Sequence, residues 1–554
     1  MTNPSGPDPA EPNRVDPPSV DPGRSKPARR RSAQDDFGDA DSHAIEAAAA
    51  SAPPPPPRVL SHAEIRTIFF GVMLATFLAA LNQTIVATAL PTIGRHFDDF
   101  ENLSWIVTAF LLTSTAVAPL YGKLSDLHGR RTMMLTAIGL FMAGSILCTV
   151  APNMMTLILG RALQGIGGGG ILPLAQAVIA DVVAPRERGR YQAYMGVVWV
   201  TSGVGGPVLG GVLAEYFHWT AVFGLNIPLA LCAAYLSWRN LAQIPRHERK
   251  HRLDILGAVL MMGSAVPILL ALTWGGTRYA WDSVPILSLF AASLVLSLLF
   301  AIRLTRAPEP FLPLTVLGNQ VMRMGTGAGA FAMGTSIGLI IYLPLYFEVV
   351  HGLSATQSGV ALIPVALTTP GSIISGQIML RFNTYKWAPI SGLILALIAQ
   401  GLLAFWPAMP LSYAIALMCV VGTATGMVFP VTTVSIQNAV PQYQVGTAMG
   451  ALNFFRSLVS AFVVAVMGAI LLAGFGASVG RDTGGTGVAE LAEQIHSLGT
   501  DVAPVFGWMF FSGWIFLALA LAFLIVMEER PLRSATTRDP PKTEPGGSGG
   551  SPPA

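Results

Sequence analysis

The sequence predicts an all-α polytopic membrane protein with fourteen transmembrane helices, and three observations carry that prediction. The chain of 554 residues is 52% hydrophobic and 11% charged, with a mean hydropathy of +0.57. Soluble globular chains carry roughly a quarter charged residues, so this chain has less than half the usual charge. Apolar runs of about 20 residues, long enough to cross a bilayer as a helix, recur from residue 66 to residue 527. The polar connections between them alternate between basic and cation-poor.

Taken in order, residues 1–60 are rich in Pro, Ser, Asp and Arg and include Pro53 to Pro57. They contain no apolar core of a signal peptide and cannot bury enough surface to fold, so a disordered cytoplasmic tail is expected. Residues 531–554 have the same character. Arg29, Arg30 and Arg31 read as a solvated charge run that can also touch anionic headgroups. Between the tails, hydropathy places crossings at 66–90, 104–121, 132–151, 155–180, 190–214, 220–240, 254–275, 283–303, 325–349, 358–380, 387–406, 411–437, 446–474 and 504–527. All should be helices, because lipid offers backbone groups no other partner.

Orientation follows from the cations. Lys123, Arg130 and Arg131; Arg186, Arg188 and Arg190; Arg239, Arg246, Arg249, Lys250 and Arg252; Arg303 and Arg306; and Arg381 and Lys386 fall in alternate loops. The positive-inside rule puts those loops and both termini in the cytoplasm. The opposite loops hold Asp98, Asp99, Glu101, Glu215, His218, Glu348 and His351, and the longest of them runs from about Gly476 to Ala503. A net charge of +3 is too small to argue for nucleic acid. Cys148, Cys232 and Cys419 all lie in apolar runs, without disulfide or metal-ligand spacing.

The turn Gly122–Arg131 is the most informative polar segment. Gly122 and Gly129 permit a tight turn and close helix approach, and Asp126 is an anion suited to a helix N-terminus. A worn copy appears after the tenth run as Gly376-Gln377-Ile378-Met379-Leu380-Arg381, with Lys386 beyond. Pro185–Gly189 before the fifth run likewise matches Pro441–Gly446 before the thirteenth. The repeat divides the chain into a six-helix half at 61–245, two linking helices at 246–310 and a second six-helix half at 311–530. Transporters are commonly built from such repeats.

Several motifs together resemble one family. Gly122-x-Leu124-x-Asp126-x-x-Gly129-Arg130-Arg131 is similar to the loop 2–3 motif of the major facilitator superfamily. Leu157-x-x-x-Arg161-x-x-Gln164-Gly165 resembles its helix 4 motif, and Gly205-Gly206-Pro207-Val208-Leu209-Gly210-Gly211 the helix 5 motif of its exporters. Leu81 to Pro91, Trp219 with Asn226 and Pro228, and Tyr342 to Phe347 resemble the fourteen-helix drug:proton antiporter branch. The resemblance spans about residues 66–530 and implies the major facilitator fold, two six-helix halves plus two linking helices. It also implies that Asp126 faces the start of helix 13 near Gly446 and that Arg130 pairs with Asp181. Gly122, Asp126, Gly129, Arg130, Arg131 and Asp181 would then form a cytoplasmic gate between the halves. Topology alone also accounts for Arg130 and Arg131 as cations.

Arg161 lies in an apolar helix with Gln164 at i+3, and an intramembrane cation is costly and usually functional, able to lower a carboxylate's pKa or to hold an anionic substrate group; a structural hydrogen-bonding role remains the alternative. Ser202, Gly206 and Gly210 form a small-residue stripe. Such stripes allow backbone-to-backbone contact, and Pro207 adds a kink; close packing alone fits the spacing as well as the export role that the resemblance implies for Gly206, Pro207, Gly210 and Gly211. Gly165-x-Gly167-x-x-Gly170 matches a dinucleotide fingerprint only formally, since no strand precedes it and no acid follows at the needed distance. No GxxxxGK[ST] loop occurs, so ATP is not expected as the energy source, and neither cofactor nor metal is expected.

Proton coupling needs a group that titrates inside the protein. Relatives in the branch often carry Asp where this chain has Asn82, which removes the usual site. Glu215 and Glu348 are the remaining carboxylate candidates, with Arg161 and Arg456 as intramembrane cations able to pair with them; as loop carboxylates in water, both glutamates also have an ordinary reading. Asn82, Gln83, Gln164, Trp199, Asn226, Tyr342 and Asn453 are candidates for a midplane substrate site, or ordinary packing polars. The expected function is proton-coupled export of hydrophobic or amphipathic compounds by alternating access, by a monomer in the plasma membrane. An apolar cavity suits lipophilic substrates, cations included, better than sugars. A lipid or metabolite exporter is the alternative. A receptor should carry a folded soluble domain, which neither tail supplies, and an enzyme should show a nucleophile–base or metal-ligand spacing, which is absent.

Overall fold

Backbone groups in hydrocarbon must bond within their own segment, and helices dominate accordingly. The computed structural model describes residues 61–99, 101–243, 253–363, 368–382, 385–479 and 502–532. The expectations for both disordered tails, for most of the Gly476–Ala503 loop, and for Arg246, Arg249, Lys250 and Arg252 lie outside the described residues. The main helices are α1 (His62–Phe97), α2 (Leu103–His128), α3 (Arg130–Thr149), α4 (Met154–Val182), α5 (Pro185–Tyr216), α6 (Ala221–Asn240), α7 (Ile255–Trp274), α8 (Val284–Arg306), α9 (Gln320–His351), α10 (Thr369–Arg381), α11 (Trp387–Phe405), α12 (Leu411–Ala439), α13 (Val445–Val479) and α14 (Ala503–Val526).

Among the described residues thirteen of these are long and apolar enough to cross a membrane, close to the fourteen expected. The difference lies in the tenth. Its expected span, 358–380, holds Pro364 and Pro370, and a proline in a helix interior removes a backbone bond. The short helix Ala355–Ala361 precedes α10, and α10 carries Pro370 in its first turn, where a missing N–H costs nothing. Residues 364–367 between them lie outside the described residues.

Several helices outrun their apolar cores because polar residues define their ends. Ser61 and Glu64 form a capping box at the start of α1, with Ser61 N donating to Glu64 Oε2 at 2.8 Å. Asp98, in the left-handed conformation, closes that helix after 36 residues. At the start of α11, Glu529 accepts from the backbone N–H groups of Tyr385 and Lys386 at 2.6 and 3.0 Å. Lys386 Nζ donates to the carbonyls of Ile525 and Met527 at the end of α14. Burial draws the Lys386 ammonium below its ordinary range, and Glu529 opposes the shift.

Two apolar clusters are built from α1–α6, one around Phe141 and Ile171 and one around Trp219 and Phe223. A third gathers the inward faces of α9–α14 and reaches Ala177 and Ala180 of α4 and Ala258, Met261 and Ala265 of α7. The seam between the halves runs where α13 packs on α2 and α4, and where α5 packs on α10 and α12. The linking helices α7 and α8 pair with each other, and α7 also lies against α2 and α13. The helix ends that carry Asp126, Arg130, Asp181, Arg186, Leu380 and Gly446 are joined by hydrogen bonds, and they form what is here the basic face of the bundle.

Candidate functional site

At the basic face the chain must turn between α2 and α3 in one residue, and Gly129 does so at φ 89°. The turn brings Arg130 back along α2 toward the end of α4. Arg130 Nε donates to Asp181 Oδ2 at 2.8 Å, and its Nη1 donates to Asp126 Oδ1 at 2.6 Å and to Ser125 Oγ at 2.5 Å. Asp126 in turn crosses the seam. Its Oδ1 accepts from Gly446 N at 3.0 Å, and its Oδ2 accepts from Thr447 N and Thr447 Oγ1, each at 2.7 Å. The carboxylate therefore sits on the free N–H groups at the start of α13, where the helix dipole favours an anion. Backbone contact is part of the same junction. A Cβ on Gly122 would run into the Gly446 carbonyl oxygen, and one on Gly450 into that of Ala118. Arg131 does not join the cluster; its guanidinium lies 5.5 Å from the Trp238 ring centroid.

Further polar contacts line the seam. Gln442 Nε2 reaches Asp181 Oδ1 at 3.5 Å, and Gln437 Nε2 donates to the Gln176 carbonyl at 3.0 Å. Asn453 Nδ2 donates to Gln176 Oε1 at 2.8 Å. On the other side of the pseudo-repeat, Gly189 of α5 meets Gly376 of α10 backbone to backbone. There the position corresponding to Asp126 is Leu380, whose carbonyl accepts from Arg186 Nε at 3.0 Å. The worn copy thus contacts α5 through main chain where the first copy uses a carboxylate.

A polar network lies inside the first half. Arg161, 1% exposed, donates from Nε to the Ile106 carbonyl at 2.9 Å. Its Nη1 donates to Gln164 Oε1 at 2.5 Å and to Asn82 Oδ1 at 3.3 Å, and its guanidinium lies 4.4 Å from the Phe110 ring centroid. Gln164 Nε2 continues the chain to Ser145 Oγ at 2.7 Å, and Asn226 Nδ2 donates to Asn82 Oδ1 at 3.2 Å. Of the substrate candidates, the structure therefore unites Asn82, Gln164 and Asn226 around Arg161. Asn453 is at the seam, and Tyr342 Oη donates to the Val464 carbonyl at 3.2 Å. Gln83 and Trp199 are exposed and join neither group.

In the second half, Arg456 Nη2 donates to Thr432 Oγ1 at 2.8 Å and Thr433 Oγ1 at 3.2 Å. Neither Arg161 nor Arg456 contacts a carboxylate among the described residues. Glu348 is half-buried at the far end of α9, and Glu215 is exposed. Glu215 lines a cleft of about 620 Å³ at the end of α1 and the end of α5, together with Thr88, Arg95, His96, His218 and Trp219. The His96 and His218 rings there are 5.4 Å apart between centroids.

The helix 5 stripe faces α1. A Cβ on Gly206 would strike Thr84, and one on Gly210 would strike Ile85 and Thr88, whereas Gly203, Gly205 and Gly211 face open space. Thr84 Oγ1 donates to the Ser202 carbonyl at 2.8 Å across the same contact. Gly165, Gly167, Gly169 and Gly170 press α4 against α2 and α3, on Phe110, Phe141, Ser114 and Tyr121. They are packing glycines of a helix and offer no phosphate cradle.

A family model described as Major Facilitator Superfamily matches residues 72–464. The chain belongs to the major facilitator superfamily. It is a multi-pass membrane transporter and not an enzyme. It is 34% identical over 406 residues to the "Multidrug transporter protein MdtP" of Bacillus subtilis strain 168, covering 72% of this chain and 74% of that protein. It is 36% identical over 420 residues to the "Efflux pump FUS6" of Gibberella moniliformis, covering 73% of each. Among solved structures, the proton:xylose symporter XylE aligns with a TM-score of 0.58 at 14% identity, over 85% of this chain and 98% of that one. The human organic anion transporter MFSD10 aligns at 0.56 and 18%, over 84% and 100%. At such identity the two structures speak to the fold alone.

Sequence reasoning on this major facilitator transporter misses Ser125, Gln176, Gln437 and Thr447, which complete the seam contacts. A signal existed for two further positions. The likeness of Pro185–Gly189 to Pro441–Gly446 marks Gly189 and Gly446 as equivalent, and both prove to be close-approach glycines.

Proposed function

We propose that this transporter exports hydrophobic or amphipathic compounds across the cell membrane by alternating access, driven by inward proton flow. Residues 61–245 and 311–530 are the moving halves, 246–310 links them, and the basic face and both termini lie in the cytoplasm. The carrying observation is that the hydrogen bonds between halves gather at the basic face, around Asp126 on the start of α13. A gate built this way is made and broken as one unit, which is what a two-state element requires. The names of the relatives, a multidrug transporter and an efflux pump, support outward movement. Glu215 is the better-placed carboxylate for coupling, since it opens into the outer cleft beside Arg95, His96 and His218.

The test is efflux of a panel of amphipathic dyes and drugs from cells expressing the protein, with Asp126→Asn as the gate variant. Expected is energy-dependent efflux by the wild type, with loss of tenfold or more in a variant that still reaches the membrane. Normal export by that variant removes the gate from the mechanism. Export of labelled lipid with no member of the panel moved assigns the scaffold to lipid instead.

A further inference from the structure

Among the described residues of the membrane helices, only two charged side chains lie more than six residues from either end of their helix: Arg161 on α4 and Arg456 on α13. Both are arginines, and both are at least nine-tenths buried. Among the described residues no carboxylate lies at comparable depth, and where Arg161 reaches helix α1 it meets the neutral Asn82. Among the described residues the helix interiors therefore hold two cations with no carboxylate contact. A buried cation without a counter-ion is costly to hold, because its desolvation is not offset by a partner charge. An intramembrane ionisable group held at such a cost is by default a functional site.

The two arginines are not equally occupied. Arg161 uses both Nε and Nη1 on neutral oxygens and lies against Phe110. Arg456 binds two threonine hydroxyls through Nη2 alone, and its buried Nε has no partner. Gly329 of α9 lets the guanidinium pack directly against that helix, since a Cβ there would lie 2.9 Å from both Nε and Nη2. Arg456 also sits ten residues along α13 from Gly446, so at about 1.5 Å per residue it lies ~15 Å from the gate, near the midplane of a hydrocarbon core of about 30 Å. Asn453, one turn nearer the gate, contacts Gln176 of the other half. Arg456 is thus the first charged group beyond the polar seam, with an unused donor.

We infer that the exporter's substrates are amphipathic organic anions and that Arg456 binds their acidic group. The inference rests on the exporter reading above and narrows its substrates, turning the sequence-level preference for lipophilic compounds, cations included, toward acids. A guanidinium presents donors in a fork that matches a carboxylate or sulfonate, and Phe429, whose ring centroid is 5.8 Å from the guanidinium, supplies apolar surface beside it.

The experiment uses purified full-length protein in inverted proteoliposomes under an imposed pH gradient, with the membrane potential clamped to zero by potassium and valinomycin. Two probes share one fluorescent body and differ in charge: dansylglycine, an anion, and dansyl-ethylenediamine, a cation. Uptake of dansylglycine is expected to be at least tenfold faster. Arg456→Gln should remove that preference by lowering dansylglycine uptake tenfold or more, while Arg456→Lys restores part of it. Equal or faster uptake of the cation by the wild type overturns the inference and leaves the exporter reading standing. Equal loss of both probes in Arg456→Gln, with unchanged monodispersity and melting temperature, makes Arg456 structural and also overturns it. If neither the probes nor the dye panel is accumulated, the exporter reading itself fails and the inference falls with it.

Discussion

Asp126 holds four donors at once: the backbone N–H groups of Gly446 and Thr447, the Thr447 hydroxyl and the Arg130 guanidinium. Charge-assisted bonds of this kind are about twice as strong as neutral ones, and breaking a buried pair costs about 3–5 kcal/mol. Since 1.4 kcal/mol is about tenfold in an equilibrium, Asp126→Asn should shift the closed-gate population by roughly a hundredfold or more. The shift is expected as faster maleimide labelling of a cysteine placed at Gln176, read from the basic face after replacement of Cys148, Cys232 and Cys419. Unchanged labelling would detach Asp126 from gate closure. For coupling, Glu215→Gln with Glu348→Gln is expected to leave substrate binding in place and remove substrate-induced proton release in detergent. Normal release by the double variant moves coupling elsewhere. At this scale, the Asp126–Arg130–Asp181 cluster was legible because an ion in an apolar chain is conspicuous. Thr447 and Gln176 were not, because a lone polar residue in a membrane helix reads the same whether it packs or crosses a seam.

The α5 stripe separates contacts that spacing alone merges. Gly206 and Gly210 face α1 at backbone distance, while Gly203 and Gly211 on the same helix face open space. Gly203→Ala should therefore be neutral or stabilising, by up to about 1 kcal/mol from helix propensity. Gly206→Val should lower the melting temperature and the yield of folded protein. A Gly206→Val protein as stable as the wild type would mean that α1 and α5 are not held in this contact. Gly206 and Gly210 of the motif are thus packing positions of the α1–α5 contact. The tenth helix was the weakest element in the sequence. Hydropathy averages over about 19 residues and merges 358–380 into one span, whereas the effect of Pro370 is local and sets the start of α10.

Across the whole molecule, composition and periodicity disclose the bundle because lipid leaves helices as the only solution. They do not disclose the seam, whose contacts join residues about 190 to 320 positions apart, such as Arg186 with Leu380 and Gln176 with Asn453. The asymmetry between the repeats is also a property of the assembled fold. One side of the basic face is held by a carboxylate on α13, the other by Arg186 on the Leu380 carbonyl. Removing Asp126 should therefore weaken gate closure more than Arg186→Gln does, a ranking that the same labelling assay reads. The central claim is that this seam parts during every transport cycle. Its most direct measurement is a Gln176→Cys/Asn453→Cys cross-link, in a background free of native cysteines, made with a short bis-maleimide or with an oxidant and followed by transport. Expected are efficient cross-linking at rest, loss of tenfold or more in transport once linked, and recovery with reductant for the disulfide alone. Full transport through quantitatively cross-linked protein would contradict the claim.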